Sequence, residues 1–479
     1  MKKSLLFGAA LLSTVSAFAV VTDGDTYEPV NDIKCVNAWI LDRNHNADAF
    51  IGSRIESKQS RTCVVKDGVV YISSWAADDP EVTAPDKDGK PVVQQAATVH
   101  KFNVEDGSYL GEIKVTLDGE RRTGTGVINT IGVDNFGHIW VADMVFAGAE
   151  FFKVYTLDVE TGACTLAASL PLGEEAPRID YCDLVGDITL QEAPCTIMAA
   201  GSSSSVVFAF SCEKGSTEWY GNFEGSNKIT ITEFYPSAAG NWSTAPSVKI
   251  LLGEDPETMY YGDLFYIDGA SSAPTLYNTT GSIVESLEKA PAECAQKSLG
   301  ANGVVEFTID DRNFIAYPIE QYTGSMGGCN VNVCELGEGM TFEGMKLYWT
   351  VPTSGFGTTS DGGNRYHGLN REYVKDGNGN EYVNLISYKC FNGLALYKIG
   401  KYAPDAGVEG AIADGGATIA VNGNVVTVSA EAEEINVYNV AGQVVATAKN
   451  ATEVAVPAQG AFIVKATVAG APVVKKVVL

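Results

Sequence analysis

Histidine is scarce in this chain. The four present (His45, His100, His138, His367) lie far apart and no Cys-x-x-Cys pair accompanies them, so a zinc site has no ligand spacing to rest on. Basic residues are few as well. Lys and Arg number 33 against 59 Asp and Glu, a net charge of −26, which argues against nucleic acid or an anionic membrane as a partner. No apolar run approaches the ~20 residues that span a bilayer, so no transmembrane segment is expected. Catalytic signatures are lacking: Ser202 to Ser205 have no His-Asp pattern nearby, no nucleophile is indicated, and no catalytic residue is assigned.

The N-terminus carries Lys2-Lys3, an apolar run from Leu5 to Leu12, and Ala17-Phe18-Ala19. These are the charged region, apolar region and Ala-x-Ala site of a secretory signal peptide cleaved after Ala19. Residues 1–19 are therefore read as signal and 20–31 as an N-terminal extension, in which Asp23-Gly24-Asp25 is a flexible acidic start. Ten cysteines lie between Cys35 and Cys390, and an even count in an exported chain permits disulfides. Cys329 with Cys334 and Cys182 with Cys195 are local candidates, with buried free thiols as the alternative.

Residues 32–402 read as repeats. Val99 to Gly107, Phe152 to Gly162 and Val206 to Gly215 are each an alternating strand running into a Gly turn, with looser copies at Pro274 to Gly281 and Cys329 to Gly337. The closing glycines recur at intervals of about 55 to 65 residues, a period that fits β-propeller blades with long loops. The phrase Thr130 to Val133, Asp134-Asn135-Phe136-Gly137, His138 to Asp143 is strand, turn, strand, and Cys63 to Ile72 repeats it. Further inner strands are expected near Val185 to Leu190, Val248 to Leu252, Val304 to Ile309 and Tyr373 to Lys375. The fold class is thus all-β, a six-bladed propeller with seven blades as the alternative. The run Ile33 to Ile40 would supply the outermost strand of the last blade, closing the ring without exposed edges.

Loops joining an outer strand to the next inner strand, and a second strand to a third, share one face of a propeller. Here they fall at Ser74 to Gln95, Gly119 to Gly126, Glu174 to Tyr181, Tyr235 to Pro246, Pro291 to Asn302 and Pro352 to His367. Their candidate ligand-binding residues are Trp75, Arg121, Arg122, Arg178, Tyr181, Trp242, Arg365, Tyr366 and His367, with Asp78 and Asp79 beside them. Aromatic faces and forked guanidinium donors suit sugars, peptides or carboxylated ligands. No cofactor is assigned. Asp376 to Glu381 sets oxygens at alternating positions, as calcium loops do and as the loop ligands of some propellers resemble; a plain hairpin turn explains it equally well.

A linker, 403–415, leads to a last segment, 416–479. Asn422-Gly423 is the pair best suited to a tight hairpin between Thr418 and Val428, and Phe462, Val464, Ala466 and Val468 alternate as a strand does. A small β-sandwich follows. Gly442 after Tyr438, Pro457 and Gly460 before Phe462, and the closing Lys476-Val477 stand in an order that closely resembles the type A C-terminal sorting domain of the type IX secretion system of Bacteroidota. Phe462 departs from the usual Tyr. The resemblance implies that this segment is an export signal read by the type IX machinery, and that the protein is secreted or displayed on the outer cell surface.

Three functions remain from the sequence. The first is an extracellular propeller binding a glycan, peptide or protein through its loop face. The second is a propeller hydrolase, lyase or lactonase with carboxylates at the channel mouth, and the third a structural or adhesion component of the surface. Fold analogy alone does not choose among them.

Overall fold

The computed structural model describes residues 21–46, 60–221, 228–234, 242, 245–251, 264–269, 272–294, 303–319, 321–322, 326–327, 330–356, 367–376, 379–390, 392–403, 419–422, 424–439, 444–457, 461–468 and 471–478. Local chemistry explains the first strands. Asp67-Gly68 and Asp310-Asp311 all have positive φ, the left-handed pair that a two-residue hairpin needs and that Asp and Gly supply at least cost. They join Ser60–Lys66 to Val69–Pro85 and Val305–Ile309 to Arg312–Pro318. Wider turns use a side-chain acceptor instead. Asp134 Oδ1 accepts from the amides of Phe136 and His138, and Asn278 Oδ1 from those of Thr280 and Ser282.

Six antiparallel sheets of this kind follow one another. Blade 1 is Ser60–Lys66, Val69–Pro85, Pro91–Asn103 and Tyr109–Lys114. Blade 2 is Thr130–Val133, Ile139–Ala142, Phe151–Leu157 and Ala163–Pro171. Blade 3 is Ile179–Gly186, Cys195–Gly201 and Val206–Cys212, flanked by Tyr220–Gly221 and Lys228–Thr230. Blade 4 is Ser247–Ile250, Leu264–Gly269, Ser272–Asn278 and Ile283–Ser286. Blade 5 is Val305–Ile309, Arg312–Pro318, Val331–Glu335 and Lys346–Val351. Blade 6 is His367–Lys375, Glu381–Lys389, Gly393–Gly400 and, from the other end of the chain, Lys34–Asp42.

The core closes the ring. Separate apolar clusters lie between blades 1 and 2 (Val99, Ile131, Tyr155), 2 and 3 (Phe152, Leu184), 3 and 4 (Phe265, Val207), 4 and 5 (Tyr266, Ile315), 5 and 6 (Phe314, Leu385), and 6 and 1 (Tyr388, Ile72). Six sheets with six packed interfaces make a closed propeller, and each interface removes apolar surface from water at about 25 cal/mol per Å². The N-terminal strand pairs with Gly393–Gly400 from Lys34 opposite Gly400 to Asp42 opposite Gly393, as the sequence leads one to expect.

Three expectations need correction. The third inner strand ends at Gly186 instead of running to Leu190. Asp187 captures the amides of Thr189, Gln191 and Glu192, and Leu190 takes a positive φ, so the chain turns there. Ser74 to Gln95 is not a loop but the outer part of a long hairpin, paired as far as Pro85 opposite Pro91. Asp23-Gly24-Asp25 is not a flexible acidic segment: Asp23 is buried, its amide donates to Asn37 Oδ1, Tyr27 donates to its carboxylate, and Trp349 Nε1 donates to Glu28 O. Residues 21–31 strap blades 5 and 6.

The C-terminal segment forms its own sheet of Ile419–Asn422, Val425–Asn439, Val444–Ala455, Ala461–Val468 and Ala471–Val478. Its first strand meets its last, and Val426, Ile435, Val437, Phe462, Val464 and Val477 fill a core of their own. Pro457 is exposed, and Gly442 and Gly460 lie outside the described residues. No helix among the described residues is long and apolar enough to cross a membrane.

Candidate functional site

The first strands of blades 1, 2 and 3 bring their opening residues together at the face where they begin. Asn129 Nδ2 donates to the backbone carbonyl of Asp180, and the amide of Ile131 donates to Thr62 Oγ1, 2.8 Å away. Arg61 thereby comes beside Tyr181. Burial pushes the Tyr181 phenol well above its ordinary pKa, with the Arg61 charge opposing and the Asp180 charge adding to it. The Arg61 guanidinium also lies over the Trp75 ring, 4.6 Å from its centroid, a cation–π distance.

The polar atoms here are incompletely matched. Arg61 Nε, Trp75 Nε1 and Asn129 Oδ1 are all enclosed without a hydrogen-bond partner. Native proteins rarely leave such atoms unpaired, and each costs about 1–3 kcal/mol. Two donors, on Arg61 and Trp75, and one acceptor, on Asn129, thus stand unpaired near the opening of the blade 1 and blade 2 inner strands.

Of the residues expected to bind a ligand, Trp75 and Tyr181 join this group. Arg178 stands at its edge: Nε is 2.9 Å from Asp180 Oδ2, and Ser202 Oγ donates to the same oxygen while accepting from the amide of Ala245. Arg121 and Arg122 are engaged elsewhere. Arg121 donates to Asp79 Oδ2 (3.0 Å) and to the carbonyls of Ala97 and Val115, pinning the long hairpin. Arg122 Nη2 grips both oxygens of Asp143 at 3.0 and 2.8 Å, with its guanidinium 4.1 Å from the Tyr155 centroid. Trp242 is wholly buried, edge-on to Phe234 between blades 3 and 4, and so presents no face to a ligand. Arg365 and Tyr366 lie outside the described residues, and His367 opens the first strand of blade 6.

Sequence reasoning missed Arg61, Asn129 and Asp180. Arg61 and Asn129 sit at the first positions of inner strands or just before them, outside the loops named above, whereas Asp180 lies within Glu174 to Tyr181 and was not singled out beside Arg178 and Tyr181. The positional signal was available, because an inner strand's opening residues border the channel of a propeller.

Blade 4 holds a different group on the same face. Asp268 is fully buried; its carboxylate accepts from Ser247 Oγ and, at 2.7 Å, from the amide of Gly303. Burial raises its pKa to about 7, with these hydrogen bonds opposing.

Asp134, His138 and Asp187 gather near the 134–138 and 187–194 turns, with His138 Nδ1 2.9 Å from Asp134 Oδ2 and 3.3 Å from Asp187 Oδ1. Their oxygens are already occupied by backbone amides, including Ile188 on Asp134 Oδ2. Burial works against the Asp187 carboxylate, yet its hydrogen bonds outweigh that and hold its pKa below the ordinary value. The set locks two turns of neighbouring blades. Asp376 is similar: it accepts from both the amide and the side-chain nitrogen of Asn380, which is the hairpin-turn alternative to a calcium loop.

No protein-family model and no curated protein matches the chain. Among solved structures it is similar to a DUF4623 family protein from Bacteroides eggerthii, at 12% identity over 78% of this chain and 76% of that one, with a TM-score of 0.49. It is also similar to a putative 6-phosphogluconolactonase from Bacteroides uniformis (12% identity, 87% and 88% covered, TM-score 0.33) and to an α-L-arabinofuranosidase from Fusarium graminearum (8%, 80% and 98%, 0.37). The propeller assignment rests on the strand order and on the six interfaces.

Proposed function

We propose that this chain is an exported propeller protein that binds a carboxylate-bearing glycan or peptide where the inner strands of blades 1 to 3 open. The observation that carries the reading is Arg61, stacked on Trp75 with Nε enclosed and unpartnered. A guanidinium placed over an indole face retains N–H donors from which a carboxylate can accept. The half-buried Trp75 ring adds an apolar face of the kind that stacks on sugars and peptide side chains, whereas Tyr181 is buried and packs within the protein.

The hydrolase reading has less support. Asp143 and Asp180 are each engaged by an arginine within the fold, whereas a general acid or base needs a carboxyl within hydrogen-bond reach of the substrate. Titration calorimetry with galacturonate and glucuronate oligomers, sialic acid and acidic peptides, against their neutral counterparts, tests the proposal. Binding confined to the carboxylated members supports it; equal binding of neutral sugars, or none at all, overturns it.

Export is the second part of the same reading. The signal-like N-terminus and the C-terminal sheet with its resemblance to a type IX sorting domain support secretion or display on the outer surface. Deleting Gly407 to Leu479 should leave the protein in the periplasm; unchanged secretion would remove the basis for that role.

A further inference from the structure

Cys294 and Cys334 approach each other, Sγ to Sγ, at 3.7 Å, and both are fully buried. They come from different places. Cys334 lies in the third strand of blade 5, Val331–Glu335, and Cys294 follows the short 3-10 turn Leu287–Lys289 in the connection that leads from blade 4. Each is fixed by its surroundings. The Cys294 amide donates to Pro291 O at 2.8 Å, and the Tyr317 hydroxyl donates to Cys294 O while lying 3.4 Å from Cys334 Sγ.

The remaining thiols are arranged otherwise. Cys182 is in register with Ala199, while Cys195 faces Gly186 on one side and Cys212 on the other. The sequence candidate Cys182–Cys195 is therefore not a register pair. Cys329, the other candidate partner of Cys334, lies outside the described residues.

We propose that Cys294 and Cys334 form a disulfide that ties the blade 4 to blade 5 connection to the core of blade 5. The setting in the cell rests on the export reading, since an oxidising compartment is where such bonds persist; the chemistry does not. The oxidant is a disulfide of the glutathione class, RSSR. The hydrogen bond from the Cys334 thiol lowers the Cys294 pKa, against the burial that raises it, which makes Cys294 the first nucleophile. Its thiolate attacks one sulfur of RSSR, forming a mixed disulfide and releasing RS⁻, which takes up the Cys294 proton as RSH. The Cys334 thiol then loses its proton, and its sulfur displaces the second RS⁻. The protein gains one S–S bond, and one RSSR is reduced to two RSH.

The test uses the full chain, reduced and then incubated with oxidised glutathione, both natively and during refolding from urea. Free thiols are blocked with N-ethylmaleimide in denaturant before trypsin digestion. The expected product is Ala290 to Lys297 joined to Asn313 to Lys346, at the mass of the two peptides less two hydrogens plus one N-ethylmaleimide on Cys329. Fragmentation between Cys329 and Cys334 then places the bond at Cys334. Cys294→Ser should abolish the cross-link and leave Cys334 open to blocking, and Cys334→Ser should leave Cys294 as a mixed disulfide with glutathione. Full blocking of both thiols after either treatment, or a bond between Cys329 and Cys334, overturns the assignment. Because oxidation is carried out in solution, failure here is separate from failure of export, which the deletion of Gly407 to Leu479 reads.

Discussion

The guanidinium carbon of Arg61 lies 4.6 Å from the centroid of the Trp75 ring, and the Nε of one and the Nε1 of the other are both enclosed without a hydrogen-bond partner. The stacked pair fixes a cation where the blade 1 inner strand begins, while leaving donors unsatisfied. On the proposed reading a ligand would accept from those donors, which otherwise cost free energy as unpaired buried groups.

Substitution separates the two contributions. Arg61→Ala should weaken binding of the carboxylated ligand at least tenfold, about 1.4 kcal/mol or more. Arg61→Lys should not restore it, since an ammonium offers neither the planar stack nor the fork. Trp75→Phe should retain more affinity than Trp75→Ala. Calorimetry on the four variants, with thermal melts to confirm folding, reads this directly; an Arg61→Lys protein that binds like the parent would remove the bidentate geometry from the argument.

Arg122 should behave in the opposite manner. Its side chain is 8% exposed and that of Asp143 18% exposed, and Asp143 also accepts from the amide of Ile128 and the hydroxyl of Tyr155. Arg122→Ala leaves a half-buried carboxylate without its cation, which costs about 2–4 kcal/mol, somewhat below the loss at a fully buried pair. Urea unfolding should show that loss, and ligand affinity at Arg61 should stay within twofold. Pairing Arg122→Met with Asp143→Leu should recover much of the stability, because the stranded charge is then gone.

Asp268 gives the protein a pH dependence of definite sign. Its pKa in the fold is about 7, raised from 3.8 by burial. A raised value means that the folded state holds the proton more tightly than the unfolded one. Its favourable contribution is therefore complete below about pH 4 and lost as pH rises through about 7, at a rate near 1.4 kcal/mol per unit between the two. Asp268→Asn keeps an acceptor for the amide of Gly303 and turns a nitrogen toward Ser247, whose hydroxyl can rotate to accept. Melting temperatures from pH 4 to 8 should fall less steeply in this variant than in the parent; parallel slopes would assign the dependence to other groups.

Much of the ring was legible because its signals are local. Strand alternation and Asp or Gly turns are written in consecutive residues, so the blade 1 phrase ending at Ile72, the blade 2 phrase around Asp134, and the closing role of Ile33 to Ile40 could be read directly. The candidate site was less legible, because the fate of a loop side chain depends on partners distant in sequence. Arg121 meets Asp79 across 42 positions, and Trp242 finds its place against blade 4, where Cβ addition at Gly269 would collide with the Trp242 carbonyl at 2.6 Å. Nothing in the run around either residue records those encounters. Arg61 escaped notice for the converse reason: its strand reads as ordinary alternation, and only the convergence of inner strands gives its position meaning.

Ring closure supplies the last prediction. Trp39, in the N-terminal strand of blade 6, is buried against blade 1, where its Nε1 donates to Val104 O at 2.8 Å. Gly107 makes room for it: a Cβ there would stand 2.7 Å from Trp39 Cδ2, and its φ of +68° is one that L side chains rarely adopt. Trp39→Ala should cost about 3–5 kcal/mol through cavity formation, and Gly107→Ala about 1–3 kcal/mol through overpacking and backbone strain. If the two act through one contact, the double variant should be less destabilised than the sum, since alanine at 39 removes the ring that alanine at 107 strikes. Strict additivity in urea unfolding would mean that Gly107 is needed for its turn alone. Removing residues 21–42 goes further, because it exposes the whole edge Gly393–Gly400. An uncovered strand of that length is a template for pairing with another chain, so the truncated protein should elute as dimers or larger species where the parent, with its edge paired, does not self-associate through that strand.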